Sequence, residues 1–137
     1  EQEIQVKFDP TKDRMVYADS FYVEQVFNNY FTNAIKNCEK SDGEKYIEIS
    51  FKEKKGKLRV FVFNTGKNIA EDDLDRIWRR FYKADTSRNR ENGGSGIGLS
   101  LVKAIMENYG NAYGVENQYN GVEFFFDINT KPKKKKD

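Results

Sequence analysis

Between Val23 and Cys38 the apolar residues return at helical spacing: Val23, Val26, Phe27, Tyr30, Phe31, Ala34, Ile35 and Cys38. Such a stripe predicts an amphipathic helix with one face committed to a core. Asp19 or Ser20 stands where an N-cap belongs, and Ser41, Asp42 and Gly43 form a turn beyond the helix. The period then switches from 3.6 to two. Tyr46, Ile47, Ile49 and Phe51 predict a strand, Lys55-Gly56 a hairpin turn, and Leu58, Val60 and Val62 the returning strand. A second hairpin is predicted near residues 113–116 and 122–128, turning at Tyr119 to Gly121. Upstream, Ile4, Val6 and Phe8 alternate with polar residues and predict a strand ended by Pro10, and Met15 to Ala18 a second short one. A helix stripe followed by hairpin pairs has to be buried on an antiparallel sheet, so the class is α+β rather than a parallel βαβ array.

Two further helices are expected. Residues 70–81 carry acids in the first turn and Arg79 and Arg80 in the last, matching the helix dipole. Residues 97–109 place Leu99, Val102, Ile105 and Met106 on one face. Between them, residues 83–96 have no apolar periodicity and several glycines, which predicts a mobile loop.

Composition matters at three points. The formal charge of +2 comes from the end of the chain, where residues 131–137 hold five Lys and one Asp; without them 19 basic and 21 acidic residues remain, a net −2. Nucleic-acid binding therefore gets no support from the body of the chain, and the division expected is a domain over 1–130 with a basic, disordered tail over 131–137. Cys38 is the sole cysteine and continues the apolar stripe, so it reads as a small buried residue in a reducing compartment. There is no histidine, which excludes His-based catalysis, His metal ligands and a self-phosphorylated histidine in this chain. No stretch approaches the ~20 apolar residues of a membrane span. The start at Glu1 without Met reads as a piece of a longer protein.

Three clusters carry chemistry. Gln25, Asn29, Asn33 and Lys36 share a helix face. That is either an ordinary solvated surface or a site offering neutral oxygens to a hard cation and an ammonium to phosphate. Gly93, Gly94, Gly96 and Gly98 directly precede a helix, where backbone N–H groups and the helix dipole favour phosphate. The pattern is neither a P-loop nor a dinucleotide fingerprint. Asn64-Thr65-Gly66 closes a strand, as a ligand-facing edge or as a plain turn.

Taken in order, these segments resemble the boxes of sensor histidine kinases. Residues Gln25 to Lys36 are similar to the N box, Asn64 to Ile69 to the first glycine box, Phe81-Tyr82-Lys83 to the F box, Gly93 to Leu99 to the second glycine box, and Gly121 to Phe126 to the closing segment. The resemblance implies the two-layer α/β sandwich of the Bergerat, or GHKL, ATPases: a mixed, mostly antiparallel sheet covered on one face by three helices, with ATP between the helices under a mobile lid.

It implies Mg²⁺ on Asn33, with Asn29 beside it, and ATP as cofactor. Lys36 would meet phosphate, Lys83 would face the γ-phosphate, and Arg88, with Arg90, would help from the lid. Asn64 would accept from the adenine amino group, and Gly66, Asn68, Ile69 and Tyr82 would also bind the nucleotide. The backbone of Gly94, Ser95, Gly96, Ile97, Gly98 and Leu99 would hold the phosphate chain. The activity implied is γ-phosphoryl transfer to a histidine on a dimerisation segment absent here, then to a response regulator through a homodimeric parent. That parent is expected in the plasma membrane, with this part a cytoplasmic monomer.

Relatives that hydrolyse ATP place Glu where Asn29 stands; an amide cannot take a proton from water, which favours transfer over hydrolysis. Asp is usual at position 64, and restoring it is expected to tighten adenine binding by charge assistance. Asn68 replaces a glycine, and asparagine tolerates left-handed backbone. Two alternatives stand: an anti-sigma or serine kinase of the same superfamily, and a degenerate module that binds partners but little nucleotide.

Overall fold

The computed structural model describes residues 3–8, 20–80, 82 and 98–130. In chain order these form β1 (Gln5–Phe8), α1 (Ser20–Asn37), β2 (Tyr46–Lys54), β3 (Lys57–Thr65), α2 (Gly98–Tyr109), β4 (Tyr113–Gln118) and β5 (Gly121–Asn129). The strand expected at residues 15–18, the loop at 83–96 and the tail at 131–137 lie outside the described residues.

The five strands make one sheet in the order β1-β2-β3-β5-β4. β1 runs parallel to β2 across the α1 crossover, and every other pairing is antiparallel. The β2–β3 turn is made by Lys55 at φ 40° and Gly56 at φ 79°. Two consecutive positive φ angles match the right-handed twist of the strands they join. That turn sets the register, which pairs Ile49 with Val62 and Ile47 with Asn64. The sheet is therefore mixed and mostly antiparallel, as expected.

α1 buries a strict four-residue repeat: Tyr22, Val26, Tyr30, Ala34 and, just past its end, Cys38. Val23, Phe27 and Phe31 flank it half-buried, whereas Ile35 is 45 % exposed and falls off the stripe. The stripe meets Leu58, Val60 and Val62 of β3, Val122, Phe124, Phe126 and Ile128 of β5, and Val102 and Met106 of α2. The two buried tyrosines bring hydroxyls, and both donate to β5 carbonyls: Tyr22 to Asp127 at 2.8 Å, Tyr30 to Phe125 at 3.0 Å. Those bonds fix how far α1 slides along the sheet, because an unpaired buried hydroxyl would be costly.

The helix expected over 70–81 is instead two 3₁₀ turns, Glu71–Asp73 and Arg76–Trp78. Asp72, Asp73 and Asp75 are weak helix formers packed into four positions. The apolar anchors are spaced for tertiary contact rather than a continuous stripe. Ile77 is buried, and the Trp78 ring packs edge-on against Tyr113 and Phe124 at 5.0 and 5.9 Å. The chain turns extended at Arg79, φ −80° and ψ 145°.

Candidate functional site

α1 is the spine of the site, and its polar face is held in place by its own amides. Asn29 Nδ2 donates to the Gln25 carbonyl at 2.7 Å, and Asn37 Nδ2 to the Asn33 carbonyl at 2.8 Å. Each bond runs back one turn and engages the amide nitrogen. Asn37 Nδ2 also reaches Asn33 Oδ1 at 3.1 Å. Asn29 and Asn33 are half-buried, while Lys36 is exposed.

The start of α2 meets α1 at Asn29. A β-carbon on Gly98 would lie 2.9 Å from Asn29 Oδ1, so any side chain there has to displace the Asn29 amide. Leu99, the next residue, is half-buried against the core. Lys83, Arg88, Gly94, Ser95, Gly96 and Ile97 lie outside the described residues.

The end of β3 meets α1 eight residues further on. Glu39 N–H donates to the Thr65 carbonyl at 2.9 Å. Gly66, at φ +142°, stands where a β-carbon would sit 2.9 Å from the Asn37 carbonyl. Thr65 is fully buried; its hydroxyl accepts from the Tyr46 N–H at 3.0 Å and lies 3.5 Å from Cys38 Sγ. Cys38 is thus a buried thiol, as its place in the stripe suggested.

Asn64 is 2 % exposed, and its amide nitrogen donates to the Thr65 carbonyl at 3.0 Å and the Asn37 carbonyl at 3.4 Å. Two carbonyls can only accept, so the amide orientation is set: nitrogen toward them, Oδ1 as the acceptor. For Asp at position 64 this sets a cost against the expected charge assistance. A carboxylate there would put an anionic oxygen against two carbonyl oxygens.

Asn68 does not use its tolerance for left-handed backbone; among the described non-glycine residues only Asp42 and Lys55 have positive φ. Its side chain donates instead to the carbonyls of Gln118 and Gly121, both at 2.9 Å. Ile69 is clamped by Asn117, which accepts from its N–H at 2.9 Å and donates to its carbonyl at 2.8 Å. Tyr82 donates its hydroxyl to Asp73, and that bond to a carboxylate raises the phenol's pKa. Asn37 and Asn117 are the residues the sequence reading missed. Asn37 stood one helical turn from Asn33, a signal that was available; nothing local marked Asn117, whose partner is 48 residues away.

Among the described residues no group of three or more His, Cys, Asp or Glu is placed to hold a metal. The oxygens this face could offer a hard cation are amide oxygens, a ligand type that Mg²⁺ accepts beside phosphate and water.

Residues 18–132 match the model of the histidine kinase-, DNA gyrase B- and HSP90-like ATPases. The chain belongs to that family. Within it, the chain is a catalytic, ATP-binding domain of the sensor-histidine-kinase type. It is 32 % identical over 114 residues to the probable sensor kinase SilS of Salmonella typhimurium, covering 83 % of this chain and 22 % of the relative. It spans about a fifth of the length of the curated relatives it matches. Among solved structures it resembles the catalytic domain of histidine kinase ThkA, with TM-score 0.75, 30 % identity, and 95 % of this chain and 82 % of that one covered. ThkA has also been solved in complex with the response regulator TrrA. Full-length ShkA in complex with AMPPNP superposes with TM-score 0.76 at 26 % identity, over 93 % of this chain and 26 % of that one. Among the described residues no helix is long and apolar enough to cross a membrane.

Proposed function

We propose that this domain binds Mg·ATP along α1 and transfers the γ-phosphoryl group to a histidine on a dimeric helical segment of a longer parent protein. One observation carries the reading. The two glycine-bearing segments meet α1 at Asn29 and Asn37, about 12 Å apart at 1.5 Å rise per residue, and Asn33 lies midway between them. A nucleotide laid along that face would have its base near Asn64 and Gly66, its phosphates near Gly98, and its metal beside Asn33.

In this arrangement Asn64 Oδ1 accepts from the adenine amino group, and Gly66 leaves room for the base. Asn68 and Ile69 hold the pocket wall, and Tyr82 braces its far side through Asp73. Mg²⁺ neutralises phosphate charge when bound, with Asn33 supplying an amide oxygen and Asn29 standing beside it. Lys36 meets phosphate from the exposed helix face. The backbone of Gly94, Ser95, Gly96, Ile97, Gly98 and Leu99 cradles the phosphate chain, with Lys83 at the γ-phosphate and Arg88 assisting. Phosphoryl transfer asks mainly for position and charge neutralisation, and these groups supply both. Asn29 cannot serve as a base toward water, which favours transfer to a protein over hydrolysis. Residues 1–130 make up the domain and 131–137 a basic tail. The parent is a homodimeric membrane sensor that holds the domain in the cytoplasm and hands phosphate to a response regulator.

The test uses the purified chain and a separately produced dimeric histidine segment from the parent. The chain alone binds Mg·ADP and gains no acid-labile phosphate, and label appears on the added segment, slowly, because the linker that raises effective concentration is missing. Acid-labile label on the chain itself, or fast ATP hydrolysis without an acceptor, would refute the reading.

A further inference from the structure

We propose that Asn37 is a positioning residue for the metal-facing amide of Asn33, and that it ties the metal end of the site to the adenine end. The inference rests on the proposed nucleotide site.

Asn37 is the last residue of α1 and touches both boxes of the site at once. Its side-chain nitrogen bridges the carbonyl and the amide oxygen of Asn33, at 2.8 and 3.1 Å. Its backbone carbonyl accepts from Asn64 Nδ2 at 3.4 Å and occupies the space that Gly66 leaves by lacking a β-carbon. An amide oxygen that binds a cation has a second lone pair, and a donor on that pair fixes the side-chain rotamer. Partners of metal ligands act in this way, and their loss commonly weakens metal binding 10–100-fold. Asn33 has two torsions to settle, and it is exposed enough for water to compete. The Asn37 amide acts on both, because it contacts Oδ1 and the backbone carbonyl of Asn33 together and disfavours rotamers that carry Oδ1 away.

The two roles of Asn37 separate cleanly. Its carbonyl, which orients Asn64, survives any substitution, and its side chain, which orients Asn33, does not. Removing the side chain therefore strikes the metal and spares the base.

The experiment is calorimetric titration of the 137-residue protein with ADP, with and without Mg²⁺, for wild type, Asn33→Ala, Asn37→Ala and Asn37→Gln. Wild type binds ADP more tightly with Mg²⁺. Asn37→Ala keeps its metal-free affinity within about twofold and loses about tenfold of the metal-dependent tightening. Asn37→Gln, which keeps a donor amide, retains most of that tightening. In an Asn33→Ala background, Asn37→Ala has no further effect on the metal dependence. A loss of affinity equal with and without Mg²⁺, together with a lowered melting temperature, would make Asn37 merely structural and overturn the proposal. So would full Mg²⁺ dependence in Asn37→Ala beside its loss in Asn33→Ala, which leaves the nucleotide site standing. Absence of ADP binding by wild type would take down the site and this inference together.

Discussion

Asn29 and Gly98 stand in direct contact: the amide oxygen of one lies 2.9 Å from the point where a β-carbon on the other would sit. Alanine at the start of α2 would ordinarily strengthen a helix, by up to about 1 kcal/mol. Here the methyl group must displace an amide whose nitrogen is already held by the Gln25 carbonyl. Gly98→Ala is therefore expected to lower the melting temperature and to weaken ADP binding about fivefold, the worth of roughly 1 kcal/mol of disturbed hydrogen bonding. In an Asn29→Ala background the obstruction is gone, and Gly98→Ala turns neutral or stabilising. Thermal unfolding and ADP titration of the four proteins check this; a stabilised Gly98→Ala with unchanged affinity would contradict it.

Asn64→Asp destabilises the fold at neutral pH by about 1–3 kcal/mol, the cost of turning a buried donor into a repelled acceptor. The new carboxyl titrates above the ordinary carboxylate range, because two carbonyls and burial disfavour its charge. Its native pKa then exceeds its unfolded one, so the loss is complete above the native value and shrinks as pH falls toward the unfolded one. Melting temperatures of both proteins across pH 4 to 8 test the sign. A gap that is constant with pH would show that residue 64 does not meet the two carbonyls as a donor.

Gly121→Ala should be the most damaging single change among the described glycines. Its β-carbon would lie 2.0 Å from the Asn64 carbonyl oxygen and 2.8 Å from the Phe63 ring. Backbone cannot yield as a side chain can, so β3 and β5 would have to part at the pair Thr65 and Gly121. A loss of about 3 kcal/mol or more is expected by urea denaturation. A loss under 1 kcal/mol would mean that the strand ends adjust freely.

The boundary of legibility follows the range of the forces. α1, both hairpins and the buried face of α2 were readable because their patterns are local: a stripe at 3.6, alternation at two, a Lys-Gly turn. A helix stripe has a centre that sequence alone does not fix, so Ile35 falls outside it and Tyr22, whose hydroxyl reaches the Asp127 carbonyl, falls within it. Residues 70–81 carried helix-like charges, yet the packing of Trp78 decided their shape. At the site, the amide face of α1 was visible as spacing. The orientation of Asn64 was not, since it depends on the carbonyl of Asn37, which is 27 residues away.

Glu123 offers a pH test on the sheet. It pairs with Phe63 on one side and Glu116 on the other, and Glu48 lies opposite Phe63, so three carboxylates share one row. Partial burial first, then Glu116 and Glu48, raise its pKa above the ordinary 4.5, while a bond from Gln118 opposes them. The native state thus holds this proton more readily than the unfolded one. Stability falls as pH rises from the unfolded value through the native one, and the penalty is fully present at neutral pH. Glu123→Gln should melt higher than wild type at pH 7, with the difference vanishing below about pH 4. An equal or lower melting temperature at pH 7 would contradict the reading.

The asparagine stitching after β3 has a dynamic consequence. Asn68 and Ile69 form no ladder of their own, yet four amide bonds fasten them to the β4–β5 hairpin. A segment anchored in this way inherits the opening free energy of the hairpin rather than that of an irregular connection. The Ile69 amide hydrogen should exchange with solvent in step with the hairpin amides, slowed together and released together. Asn117→Ala would then uncouple the segment, leaving the hairpin protected while Asn68 and Ile69 exchange at the pace of a surface loop.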